Sequence, residues 1–449
     1  CTLFPYTTLF RSNVYEGLNQ PGEWYLNRKT GVLTYWPRPG ENMEKANVMA
    51  PTTDQFIRFE GHKLLKQKRV KNINISGIKF NFTRAAYSKD GYRALQSAAN
   101  VPGKATIYGR GVYNIRFQNN EFSHIGNTYV IEYGFGSSFN QIVGNKMWDL
   151  GGGGIKFANM ERPRFESEKT QYNLISHNHI HHGGYIYFAG AGVIAFHSGN
   201  NVISHNEIHD FNVSAVALGW KWKPVITEAQ NNIVEYNHLH HMGQRILKGG
   251  GVYTLSRQPG TRVSNNLVHD ISRMSSEKYN AHEAWGFQLD AGSSDIVWEN
   301  NVVYDVPDGC VKIRGNNNLF QNNIFAFSKR NQVLRRKDEG PTEFKHNIFY
   351  FSSGKVYGDS WNTQNYDINY NVYWNTGDEE IDFYNGMSFK EWQKQGHDVN
   401  SIIADPLFIY PENRNFSLGS KSPAFDLGFK SIDLSNVGPS PLILSNNKE

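Results

Sequence analysis

Short runs in which apolar and polar residues alternate recur along most of the chain, each broken by an asparagine. Examples are Tyr113-Asn-Ile-Arg-Phe-Gln-Asn-Asn-Glu-Phe122, Asn201-Val-Ile-Ser-His-Asn-Glu-Ile208 and Asn317-Asn-Leu-Phe-Gln-Asn-Asn-Ile-Phe325. A period of two is the pattern of strands with one buried face. The repeating unit is an asparagine followed, two residues on, by an apolar residue: Asn120, Asn145, Asn178, Asn206, Asn237, Asn266, Asn301, Asn323, Asn347 and Asn371, at intervals of 22 to 35 residues. Self-similarity of that length predicts a solenoid, and the strand, corner, strand text within each unit predicts a right-handed parallel β-helix with one coil per repeat. Asparagine is expected at the corner because it tolerates a left-handed backbone better than any residue except glycine. Stacked coils then bring these side chains about 4.8 Å apart, where each amide can donate to the next. A β-sandwich with asparagine turns would not keep one spacing rule through ten units.

Four segments follow from the pattern. Residues 1–12, which include Thr2-Leu-Phe-Pro-Tyr-Thr-Thr-Leu-Phe-Arg-Ser12, look like a sequencing-adapter oligonucleotide translated in one frame and are set apart from the fold. Residues 13–69 are expected to form a β-rich insert that starts in mid-domain, because Gly22-Glu-Trp-Tyr-Leu-Asn-Arg-Lys-Thr-Gly-Val-Leu-Thr-Tyr-Trp36 reads as a hairpin without preceding context. Residues 70–377 carry the coils. Residues 378–449 form a tail in which Ser388-Phe-Lys-Glu-Trp-Gln-Lys394 is the one convincing α-helix, with Ser388 as N-cap and Glu391 completing a capping box. That helix is expected to cover the last coil, whose strand edges would otherwise pair with other chains.

Composition narrows the functional classes. Across 449 residues, 46 Lys and Arg against 41 Asp and Glu leave a net charge of +5, spread without the clustering that a nucleic-acid partner requires. Such an excess suits an acidic substrate. No run of eighteen apolar residues predicts a membrane-spanning helix. Of two cysteines only Cys310 lies outside the adapter-like segment, so disulfides are not expected to contribute.

Several segments carry a more specific resemblance: Gly22 to Gly31, Asp149-Leu-Gly-Gly-Gly-Gly-Ile-Lys156, Ile203-Ser-His-Asn-Glu-Ile-His-Asp210, Gly250-Gly-Val-Tyr-Thr-Leu-Ser-Arg-Gln-Pro-Gly260 and Ala404-Asp-Pro-Leu-Phe408. Together they resemble the β-helix glycoside hydrolases of family 141, whose relatives in family 120 are β-xylosidases. The resemblance spans residues 13–440. It implies a secreted or periplasmic carbohydrate-active enzyme, since members of the family cleave fucosidic or xylan linkages. We read the chain as a monomer that acts on a plant or algal polysaccharide, xylan-like, fucosylated or acidic, and requires no cofactor. Two positions depart from the family pattern. An Asp-Gly-Gly segment of the family is here Leu247-Lys-Gly-Gly-Gly-Val-Tyr-Thr-Leu255, so Lys248 replaces an expected carboxylate. A Leu-Asp-Glu-Gly-Ser segment is here Leu289-Asp-Ala-Gly-Ser293, which keeps Asp290 and replaces the following glutamate with Ala291.

Aligning Val252-Tyr-Thr-Leu255, Phe287-Gln-Leu-Asp290 and Val311-Lys-Ile-Arg314 by their alternation places Tyr253, Gln288 and Lys312 in one outward column and Leu255, Asp290 and Arg314 in another. Asp290 then faces Arg314 one coil away, where a guanidinium favours an ionised carboxylate suited to a nucleophile or base. Glycosidic hydrolysis ordinarily needs two carboxyl groups. With Lys248 in place of one, Glu283 in Asn280-Ala-His-Glu-Ala-Trp-Gly286 is the nearest candidate for the second, and His282 beside it could also donate a proton.

The same basic residues support a polysaccharide lyase as the alternative, with Lys248 as base, Lys312 and Arg314 neutralising a uronate carboxylate, and calcium as an optional cofactor. A relative that binds glycan without cleaving it is the third class. Trp220, Trp222 and Trp285 are candidate sugar-stacking rings. Finally, His124, Asp149, His182, Asp210, His241, Asp270 and Asp305 each lie four residues after a ladder asparagine. Histidine clusters can ligate metal, but this alternation is read as a hydrogen-bonded corner ladder that avoids stacking like charges, and no metal is assigned.

Overall fold

Why a coil turns where it does is visible in the backbone angles. The computed structural model describes residues 14–85, 103–245, 248–272, 283–336, 340–361 and 365–440, with backbone alone at 248 and 249. The residue just before each of the ten asparagines takes a positive φ, as at Asn119 (54°), His177 (55°), Tyr236 (53°) and Asn322 (54°), with Gly144 at 67°. The ladder asparagines themselves do not. The expected left-handed corner is therefore displaced by one residue, and the asparagine after it serves a different purpose. All ten are fully buried; Asn371 at the end of the ladder donates to Asp398 Oδ1 at 3.1 Å, and the other nine amide nitrogens each donate to the next coil's amide oxygen at 2.9–3.1 Å. The same oxygen accepts the backbone N–H of the preceding coil's asparagine, for instance Asn237 N–H to Asn266 Oδ1 at 3.0 Å. Asparagine alone offers this donor and acceptor in so short a side chain, so the corner's buried polar groups are satisfied from within.

The two remaining corners obey the same rule. The His and Asp column takes the second left-handed position, with φ of 55° at His124, 54° at Asp149, 53° at His182 and 57° at Asp210. His124 Nδ1 meets Asp149 at 2.5 Å, as a ladder predicts, but Asp210 and Asp270 turn instead to His209 and His269 on their own strands, at 2.6 and 2.7 Å. At the third corner a second amide ladder, Asn140, Asn173, Asn201 and Asn232, repeats the first at 2.9–3.0 Å.

Two units make up the chain, residues 1–50 and 51–449. In the first, Trp24–Leu26 and Leu33–Tyr35 pair antiparallel, and Asn27 Oδ1 accepts the N–H groups of Lys29 and Thr30 in the turn. The second unit winds three parallel sheets of 11, 12 and 11 strands into a right-handed β-helix. One coil runs through Arg257–Ser264 in the first sheet, Leu267–His269 in the second and Glu283–Leu289 in the third, then returns to the first at Ser294–Glu299. The winding begins earlier than the sequence suggested. Ile57–Glu60, assigned to the insert, pairs parallel with Ile107–Arg110, and at the far end Ile402–Ile403 pairs with Val372–Tyr373, beyond the expected limit at 377. Residues 1–13, which hold the adapter-like segment, lie outside the described residues.

Stacked Ile, Val and Phe side chains fill the interior, with ring on ring at Phe320 and Phe344 (4.6 Å) and at Phe349 and Tyr373 (5.0 Å). The helix Phe389–Lys394 starts with the expected capping box and buries Trp392 in this core, stacked on Tyr357 at 5.3 Å. Its indole N–H donates to the buried Asp398 at 2.9 Å. The helix thus closes the core at the end where no further coil covers it.

Candidate active site on the third sheet

The third sheet carries the predicted columns in the predicted register. Tyr253 is paired with Gln288 and Gln288 with Lys312, and the column continues from Ala217 on one side to Leu334 on the other. Asp290 follows the strand Glu283–Leu289 and enters the turn Asp290-Ala-Gly-Ser293, closed by Ser293 N–H donating to the Asp290 carbonyl at 2.9 Å. Gly292 sits there at φ +75°, and a Cβ would lie 2.5 Å from the Lys223 carbonyl carbon and the Pro224 nitrogen. That close approach sets the loop bearing Trp220 and Trp222 directly against the Asp290 turn.

Asp290 accepts three hydrogen bonds. Oδ1 receives Arg314 Nη1 at 2.8 Å and the Ala291 N–H at 2.9 Å, and Oδ2 receives the Tyr253 hydroxyl at 3.0 Å. Burial and the negative carboxylate of Asp290 push the Tyr253 phenol well above its ordinary range, so it stays a neutral donor. The second carboxylate, Glu283, accepts Gln288 Nε2 at 3.1 Å, forms an ion pair with Lys312 and lies 3.6 Å from Arg336 Nη1. Burial lowers the proton affinity of Lys312, whose side chain is 3 % exposed, while Glu283 and then Asp290 oppose that shift. Both carboxylates therefore act on one ammonium group. Gln288 Oε1 and Arg314 Nε are buried without a hydrogen-bond partner among the described residues.

Most of the expected residues come together here: Tyr253, Glu283, Gln288, Asp290, Lys312 and Arg314. Lys248 pairs with Glu283 through the backbone alone, its side chain lying outside the description, and His282 is among the residues not described. Of the aromatic candidates, Trp222 is exposed, and Trp220 packs edge-on against Phe196 at 4.7 Å beside the cluster containing Tyr253, Leu255 and Ala291. Trp285 corrects an expectation. It is fully buried, with Lys312 above its ring and Gly309 so close that a Cβ would come within 2.4 Å of it, so it supports the site from beneath and cannot stack on sugar. Arg336 was missed, although the register that links Asp290 to Arg314 reaches it one coil later.

This winding, with its three sheets and amide-lined corners, defines the right-handed parallel β-helix class. The family model for a right-handed beta helix region matches residues 107–284. No curated protein matches the chain. Among solved structures, one titled "Glycoside hydrolase" is similar over 69 % of this chain and 57 % of its own, at 23 % identity and a TM-score of 0.58. Another, a complex of XylC with xylose, is similar over 68 % of this chain and 55 % of its own at 14 % identity and a TM-score of 0.46. A mannuronic acid-specific polysaccharide family 6 lyase from human gut microbiota is similar over 77 % of this chain and 89 % of its own, at 12 % identity and a TM-score of 0.44. The chain thus spans just over half the length of the first two. Among the described residues, no helix is long and apolar enough to cross a membrane.

Proposed function

We propose that this chain is a carbohydrate-active enzyme that hydrolyses glycosidic bonds in a polysaccharide, with Asp290 as nucleophile or base and Glu283 as the proton donor. The observation that carries this reading is the gathering of two carboxylates on one outward face, each with its own cation, beside a tryptophan-bearing loop. Asp290, fixed by Arg314, Tyr253 and its own turn, is held as an acceptor that needs no reorganisation to meet developing positive charge at an anomeric carbon. Glu283 is paired with Lys312, whose burial loosens its hold on its proton, so a proton can pass from the lysine Nζ to the Glu283 carboxylate and on to the leaving oxygen. The likeness to a glycoside hydrolase of the same winding and the resemblance to family 141 support the same class. Secretion, a plant or algal glycan and the absence of a required cofactor belong to this proposal.

One observation favours a second reading. Three cations, Lys312, Arg314 and Arg336, attend two carboxylates, an excess that suits a uronate and hence a lyase. Incubation with neutral and uronate-rich polysaccharides separates the two: new reducing ends without ultraviolet absorbance report hydrolysis, and unsaturated-uronate absorbance reports elimination. Asp290→Asn is expected to lower turnover at least about 100-fold, in line with the loss of a nucleophile or preorganised charge. An Asp290→Asn protein with full activity would remove Asp290 from the mechanism.

A further inference from the structure

On the second sheet, away from Asp290, two outward columns run side by side. His179, Glu207 and His238 are in register in one, and His181, His209, His240 and His269 in the other. The second column is a continuous ring stack, with centroids 4.8 Å apart from His181 to His209, 4.5 Å from His209 to His240 and 5.1 Å from His240 to His269. Stacking fixes the ring planes, so the imidazole edges point in a common direction, toward the first column. His209 Nε2 lies 2.8 Å from His179 Nε2, His240 Nε2 lies 3.4 Å from Glu207 Oε1, and His179 Nε2 lies 3.6 Å from Glu207 Oε2.

We propose that Glu207, His209 and His240 bind one divalent transition ion of the zinc class, with His179 within reach as a fourth donor. The ligand atoms of Glu207, His209 and His240 lie within 4.8 Å of one another. Two ligand atoms on a tetrahedral zinc, each about 2.0–2.1 Å from it, stand about 3.3 Å apart, close to the 3.4 Å between His240 Nε2 and Glu207 Oε1. An independent observation points the same way. His209 Nδ1 is 2.6 Å from Asp210 Oδ2, the carboxylate contact that fixes the tautomer of a metal-bound histidine and frees its Nε2 for the ion. His181 Nε2, in the next coil of the stack, is buried without a hydrogen-bond partner among the described residues, which adds an unsatisfied donor at the edge of the cluster. Imidazole-rich donors select zinc, nickel or copper over calcium and magnesium. A metal here would tie two adjacent coils together from outside.

The test is calorimetric titration of the chain, purified without a polyhistidine tag and stripped with chelator, using zinc chloride and calcium chloride as probes. One zinc per chain with no calcium response is expected. His209→Gln and His240→Gln should each weaken zinc binding by at least about 100-fold and Asp210→Asn by about 10-fold, while His346→Gln, distant on the first sheet's corner, should leave it unchanged. Circular dichroism confirms that each variant keeps its strands, and either histidine variant suffices if the other fails to fold. No saturable zinc binding, or binding that survives both histidine substitutions, would overturn the site.

Discussion

The outer face of the second sheet changes character half-way along the winding. Its first outward column reads Glu121, Lys146, His179, Glu207 and His238, then Leu267, Val302, Ile324, Ile348 and Val372, all in one unbroken register. The backbone does not register the change: the amide ladder measures 3.0 Å from Asn206 to Asn237 in the polar half and 3.0 Å from Asn323 to Asn347 in the apolar half. What differs is the cover. Over the apolar half the tail lays down a hairpin, Phe408–Tyr410 with Asn415–Leu418, burying Phe408, Phe416 and Phe429 against Tyr304, Ile348 and their neighbours. Over the polar half the histidine stack stays partly exposed. A solenoid separates two kinds of information: corners and inward residues fix the winding, and outward residues specify what lies on it.

The largest expected effect comes from breaking what the two halves share. Asn266 lies at their junction, accepting from Asn237 and donating to Asn301 at 3.0 Å and to the Val234 carbonyl at 2.9 Å. Asn266→Leu removes all of these and leaves buried donors and acceptors unpaired on both sides, a loss of about 4 kcal/mol. Denaturant unfolding should show it as a lowered midpoint for the whole β-helix; if only one half melts earlier, the ladder does not couple them.

The next effect separates the halves. Phe416 is nearly buried against Tyr304 at 5.4 Å and Phe408 at 5.3 Å. Phe416→Ala should cost about 3 kcal/mol, the usual range for a core ring, but only where the tail docks. Hydrogen exchange should rise over residues 405–434 and along Val302 to Val372 while strands around His209 keep their protection. Uniform loss of protection would mean the tail stabilises the winding itself.

How far these features can be read from sequence follows the same division. The ladder positions and the columns joining Tyr253 to Lys312 and Asp290 to Arg314 are legible because the coil repeats them one residue at a time. The left-handed corner was placed one residue late because Asn119-Asn120, Asn265-Asn266, Asn300-Asn301 and Asn322-Asn323 put asparagine in both roles, and no pattern distinguishes them. Glu283 joining Gln288 and Lys312 was out of reach of alternation. Five residues apart in a straight strand is about 16 Å, so a 3.1 Å bond between those side chains requires the strand to bend. Trp285 was misassigned because a tryptophan beside catalytic candidates looks the same in sequence whether its ring faces solvent or fills the gap left by Gly309.

The smallest expected effect sharpens the comparison from the polar side. Lys79 and Glu121 face each other across the first coils of the same column at 3.2 Å, with the Lys79 side chain 70 % exposed. If charges on this half held the sheet as the phenylalanines hold the other, Lys79→Met would lower stability measurably. An exposed pair gains little Coulomb energy in water, orders two long side chains, and is screened by salt, so the expected change is below about 0.5 kcal/mol and vanishes in high salt. A larger loss in denaturant titration would show that the polar half is stabilised by its own charges. The expected result means that this exposed pair contributes little to holding the winding.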